Sequence, residues 1–121
     1  MIDMDKLLHA TLLYDYYGEL LTAKQRTVFG MYYNDDLSLA EIADEMRITR
    51  QGVRDLIIRA EKTMRKYEKA LRLVEKHLER VYKTEAITGI IQGIINENPD
   101  DSRLIRSLCK IREELIIQNE V

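Results

Sequence analysis

Apolar positions in residues 38–57 follow the pattern of two short helices packed at a steep angle. Ile42, Ala43 and Met46 share one helical face, Ile48 lies between the helices, and Val53 and Leu56 begin the next face. Two helix starts lie eleven residues apart. Ser38 and Glu41 form an S-x-x-E capping box. Thr49 places a hydroxyl where it can accept from the first free N–H groups of a following helix. Ala43 is small where the helices must cross, and Val53 is branched where the second seals onto the first. The stretch therefore predicts a helix-turn-helix. Arg47 takes the turn position where glycine is common, so the turn is an adapted one.

The same periodicity extends in both directions. A first helix is expected from Asp3 to about Tyr17, with Leu7, Leu8, Leu12 and Leu13 toward the core and Gly18 at its end. Thr22 and Gln25 form a second capping box, opening a helix through Val28, Phe29 and Tyr32, and Asn34-Asp35-Asp36 reads as a turn. Beyond the motif, Ile57, Ala60, Met64, Tyr67, Leu71, Val74, Leu78 and Val81 recur at alternating spacings of three and four, with no Gly or Pro between them. This predicts one unbroken helix over about residues 50–83, roughly 50 Å long at about 1.5 Å per residue. Its seam (Met64, Tyr67, Leu71, Val74, Leu78, Val81) needs cover, from C-terminal helices folded back on it or from a second subunit. A homodimer is expected on that ground. Residues 85–97 predict a helix apolar around most of its circumference, of the kind buried between others. Gly89 and Gly93 would let a neighbouring helix approach closely. Pro99 ends the run, and a last helix spans about Ser102 to Gln118.

The expectation is a single all-α domain over residues 1–121. It has a helix-turn-helix core at about 20–62, a long central helix at 50–83 and a C-terminal helical part at 84–121. The chain's 121 residues suit one core. Its net charge of −2 hides a segregation. Residues 1–46 carry −6, residues 47–83 carry +7 and residues 84–121 carry −3. The basic block begins at the turn and runs down the presumed recognition helix, which is the local field a phosphate backbone would meet. One cysteine, Cys109, leaves no internal disulfide. Together with an acidic N-terminus and no apolar run long enough for a membrane span, this points to the cytoplasm.

The residues facing outward from the second helix of such a motif are candidates for nucleic-acid contact: Thr49, Arg50, Gln51, Arg54 and Asp55, then Arg59 and Lys62. Arg pairs bidentately with guanine and Gln with adenine, while Thr49 and the helix N-terminus suit a phosphate. Asp55 suits cytosine and repels phosphate. The alternative for the later basic residues is a solvated helix face. His9, His77 and Cys109 lack metal-ligand spacing, and no nucleophile–base pair or phosphate loop is present, so neither enzyme chemistry nor a cofactor or metal is expected.

Two family resemblances stand on these residues. Leu20 to Arg26, Ser38 to Ala43 and Thr49 to Arg54 resemble region 4 of sigma factors, which binds promoter DNA. The longer run from Leu13-Tyr14-Asp15-Tyr16-Tyr17-Gly18 through Arg59-Ala60-Glu61-Lys62 to Tyr67-Glu68-Lys69 is similar to the YlxM family of small bacterial proteins. The resemblance implies an all-helical, sigma-like helix-turn-helix protein linked to the signal recognition particle pathway. It would regulate that pathway's genes or touch the particle. Three readings follow: a DNA-binding regulator, preferred; an RNA- or protein-binding accessory of the particle; and a sigma-like protein-interaction module.

Overall fold

The computed structural model describes residues 4–119. Among them there are six helices and no strand: α1 (Met4–Tyr17), α2 (Ala23–Tyr33), α3 (Leu39–Met46), α4 (Arg50–Leu71), α5 (Leu73–Glu97) and α6 (Ser102–Gln118), with a 3-10 turn at Gly18–Leu20 after α1. The fold is all-α, as the periodicity predicted. The expected first residue of α1, Asp3, lies outside the described residues. The chain divides into two compact units, one reaching to Val74 and one starting at Glu75.

In the first unit, α4 packs against α1, α2 and α3. Val53, Ile57, Ala60 and Met64 bury one stripe of α4, at spacings of four, three and four. Leu12, Leu13, Tyr17, Val28, Phe29, Ile42 and Ala43 are also buried. Leu8, expected inward, is exposed instead, because Ala10, Leu13 and Tyr17 occupy the inner face of α1. Both capping boxes form. Thr22 Oγ1 accepts from Gln25 N and Gln25 Oε1 from Thr22 N, and Ser38 with Glu41 repeats the pattern. Tyr14 lies 5.3 Å from Phe29 in a parallel stack, and its hydroxyl donates to the Arg26 carbonyl at 3.0 Å. Gly30 gives this contact its room: a Cβ would sit 3.0 Å from the Tyr14 hydroxyl and push the ring outward.

The long helix predicted over 50–83 is two helices. Arg72 adopts a left-handed conformation (φ 55°, ψ 33°), ending α4 at Leu71 and starting α5 at Leu73. A non-glycine residue in this region costs about 1–2 kcal/mol, and side chains distant in sequence offset it. The Glu68 carboxylate accepts from Val74 N at 2.9 Å and from the Tyr17 hydroxyl at 2.6 Å, while Tyr17 Oη accepts from Leu73 N at 3.2 Å. The first N–H groups of α5, which have no intrahelical acceptor, are thus satisfied. The seam is broken with the helix. Met64 and Val74 are buried, Tyr67 and Leu71 are exposed, and Leu78 and Val81 are half-buried.

The second unit is a helical hairpin. The helix expected to begin near residue 85 is the latter half of α5. Pro99 follows it, and Asp101 caps α6 by accepting from Leu104 N at 3.1 Å. Arg112 donates to Gln92 Oε1 at 3.1 Å, and Asn119 pairs with Thr84. These contacts join the two antiparallel helices. The close packing expected at Gly89 and Gly93 is absent: an added Cβ would meet nothing within 4 Å at either. Nor is this part of α5 buried between others. Ile91 is buried, but Ile87 and Ile90 are exposed.

Candidate nucleic-acid interface

The turn between α3 and α4 is set by three adjacent residues. Arg47 takes the left-handed conformation (φ 58°, ψ 44°) that closes α3, and its N–H bonds the Ala43 carbonyl. Ile48 N donates to the same carbonyl at 3.1 Å. Thr49 is extended and caps α4, its hydroxyl accepting from Gly52 N at 2.9 Å. A Cβ on Gly52 would lie 3.1 Å from that hydroxyl, so glycine gives the cap its room. Ile42 and Ala43 of α3 are buried, as are Val53 and Ile57 of α4, which holds the two helices in the expected helix-turn-helix.

With Val53 and Ile57 inward, Arg50, Gln51, Arg54, Asp55, Arg59 and Lys62 are all exposed. The structure brings three of them to one place. Arg50, Gln51 and Arg54 line an open groove of about 550 Å³ whose other wall is Ser38, Leu39 and Ala40 at the N-terminus of α3. Asp55 is held back from this groove by Gln51, whose Nε2 donates to its carboxylate at 3.0 Å. Arg59 and Lys62 lie further along α4, away from the groove's lining. Thr49 is spent on the helix cap. Arg65, further down the basic run, pairs with Glu61 at 3.1 Å.

A feature missed in the sequence adjoins the groove. Tyr32, Tyr33, Leu39, Arg54, Ile57 and Ile58 line a cavity of about 310 Å³, sharing Leu39 and Arg54 with the groove. The adjacent pair Ile57-Ile58 was its only sequence signal: a helix buries one of two neighbours and leaves the other on its flank. Tyr33 has its pKa raised, first by burial and then by the Glu61 charge.

A family model of helix-turn-helix proteins, UPF0122, YlxM / p13 like, matches residues 4–104. The chain belongs to this family. Among UPF0122 proteins, that of Thermoanaerobacter sp. (strain X514) is 43% identical over 111 residues, covering 92% of this chain and 94% of the relative. That of Caldanaerobacter subterraneus subsp. tengcongensis is 52% identical over 87 residues, covering 72% and 74%. That of Bacillus licheniformis is 38% identical over 108 residues, covering 89% and 97%. The match to the UPF0122 model takes in the whole helix-turn-helix and α5, and ends three residues into α6. Among the described residues, no helix is long and apolar enough to cross a membrane.

Proposed function

We propose that this UPF0122 protein is a non-enzymatic nucleic-acid-binding regulator that reads duplex DNA through α3 and α4. The observation carrying this reading is the groove in which Arg50 and Arg54 face the N-terminus of α3. The Ser38–Glu41 box takes two N–H groups at the N-terminus of α3 and leaves those of Leu39 and Ala40, and two guanidinium groups opposite them complete a seat for a backbone phosphate. Seating that phosphate orients the exposed first turns of α4 toward a major groove, where Gln51 and Arg54 meet base edges. Arg59 and Lys62 extend the contact along the backbone. The Gln51–Asp55 hydrogen bond keeps the carboxylate away from phosphate and fixes the amide's orientation. The resemblance to YlxM proteins supports a setting in the signal recognition particle pathway, in the cytoplasm.

The test selects bound fragments from fragmented genomic DNA at low salt, then measures affinity against salt for the best ligand. Arg50→Ala and Arg54→Ala should each weaken specific binding by about 1–3 kcal/mol. Lys62→Ala should weaken all sequences evenly and lower the salt slope by about 1. Failure to bind any duplex at low salt overturns the DNA reading. Tighter binding to the signal recognition particle RNA than to any duplex replaces it with the RNA-accessory reading.

A further inference from the structure

We infer that the outer surface of the α5–α6 hairpin is the homodimer interface of this protein, a second copy supplying the two helices that complete a four-helix bundle. The observation is an imbalance between apolar content and cover. α6 carries Leu104, Ile105, Leu108, Ile111, Leu115, Ile116 and Ile117, yet none of its residues is buried. On α5, Tyr82 is 72% exposed and Ile90 64%; on α6, Ile117 is 60% exposed. Two helices packed as a hairpin bury only the line along which they touch. A closed core needs further helices.

Three features favour a second copy as the occupant. The first is the charge order of α6: Arg103, Arg106, Lys110 and Arg112 precede Glu113 and Glu114. Two α6 helices crossing antiparallel about a twofold axis set the basic half of each beside the acidic end of the other. A parallel pairing sets like against like. This self-complementarity is what an isologous interface requires. Second, Gly89 and Gly93 lie one turn apart on the side of α5 away from the buried Ile91, with open space above both, so neither opposes the approach of a further helix. Third, the surface is apolar on both helices of one short hairpin, so two copies of a single unit cover each other without a new fold. The interface belongs to α5 and α6 and not to the broken seam of α4, where Leu71 stands 48% exposed beside the Arg72 kink. Such a dimer carries two α3–α4 heads.

The full chain is tested by sedimentation equilibrium across a concentration series. The expected mass is twice the 14.3 kDa of one chain. Ile90→Glu and Ile111→Glu alter exposed positions, so helical circular dichroism at low concentration should persist while the dimer dissociation constant rises at least tenfold. Glu113→Arg with Glu114→Arg should weaken the dimer, and adding Arg103→Glu and Arg106→Glu should restore it. Leu71→Glu should leave the mass doubled. A wild-type chain that stays at 14.3 kDa overturns the inference, as does a dimer lost in Leu71→Glu but retained in the two hairpin variants. Failure of the charge swap to restore association overturns the antiparallel arrangement.

Discussion

The two units of this chain have similar helix content and opposite packing. In the first, α1 to α4 enclose Leu13, Tyr17, Val28, Phe29, Ile42, Val53 and Met64. In the second, α5 and α6 touch along one line and leave Tyr82, Ile87, Ile90, Ile111, Ile116 and Ile117 exposed. Helix formation is therefore not what separates them. Four helices packed on one another close around a centre, whereas two antiparallel ones have no inside. The first unit has a closed core behind its α3–α4 surface, and the second leaves much of its apolar surface open.

The largest expected effect measures the closed core directly. Phe29 is fully buried between stacked Tyr14 and tilted Tyr33. We expect Phe29→Ala to cost about 3–5 kcal/mol in urea unfolding. Ile117→Ala, at an exposed hairpin position and measured at concentrations where the chain is monomeric, should cost no more than about 0.5 kcal/mol, as surface substitutions do. Equal costs would erase the contrast between the two units.

A smaller effect tests the joint at Arg72. Glu68→Ala leaves the Tyr17 hydroxyl and the Val74 N–H without their acceptor. A loss of about 1–3 kcal/mol is expected. Tyr17→Phe keeps the ring and removes the hydroxyl, so its loss should be nearer about 1 kcal/mol. Amide exchange at Leu73 and Val74 should accelerate in both variants; unchanged exchange there would mean that the clamp does not hold the joint. A pH dependence accompanies it. Burial, reinforced by the hydrogen bond to Glu68, pushes the Tyr17 hydroxyl up to about 12 from 10.0. Its protonated form is favoured in the folded state, so the stabilisation is complete below pH 10 and is lost as pH rises through about 12. Denaturant titrations between pH 9 and 12 should show this decline (about two pH units wide) in the wild type and a shallower one in Tyr17→Phe, where the raised Tyr33 still contributes. The same slope in both would assign it to other groups.

The joint also marks where the sequence stopped being legible. The caps at Thr22, Ser38 and Thr49, the start of α6 at Ser102 and the buried stripe from Val53 to Met64 could be read directly, because each is a local signal or a period. The heptad continuing through Leu71 and Val74 carried the same period across a break it cannot encode. The break depends on Tyr17 and Glu68, which lie 51 residues apart and meet only in the folded chain. The exposed α5 surface was misjudged for a related reason. An apolar circumference says that a helix wants cover without saying which molecule provides it. At the candidate site the outward residues of α4 were legible from its phase, while the groove with α3 and the adjoining Tyr32–Ile58 cavity required the crossing of two helices.

The smallest predicted effect compares one cap from each unit. Thr49 caps α4 by accepting from Gly52 N at 2.9 Å, and Asp101 caps α6 by accepting from Leu104 N at 3.1 Å. Each loses about 1 kcal/mol of helix stabilisation on replacement by alanine. The consequence differs with the setting. α4 supplies one wall of the closed core, so Thr49→Ala should lower the free energy of the main unfolding transition by about that amount. The N-terminal turn of α6 carries no buried residue, so Asp101→Ala should speed amide exchange in the first turns of α6 and leave the main transition in place. If both variants shift that transition equally, the units unfold as one cooperative body, and the contrast between a closed head and an open hairpin holds for packing alone and not for stability.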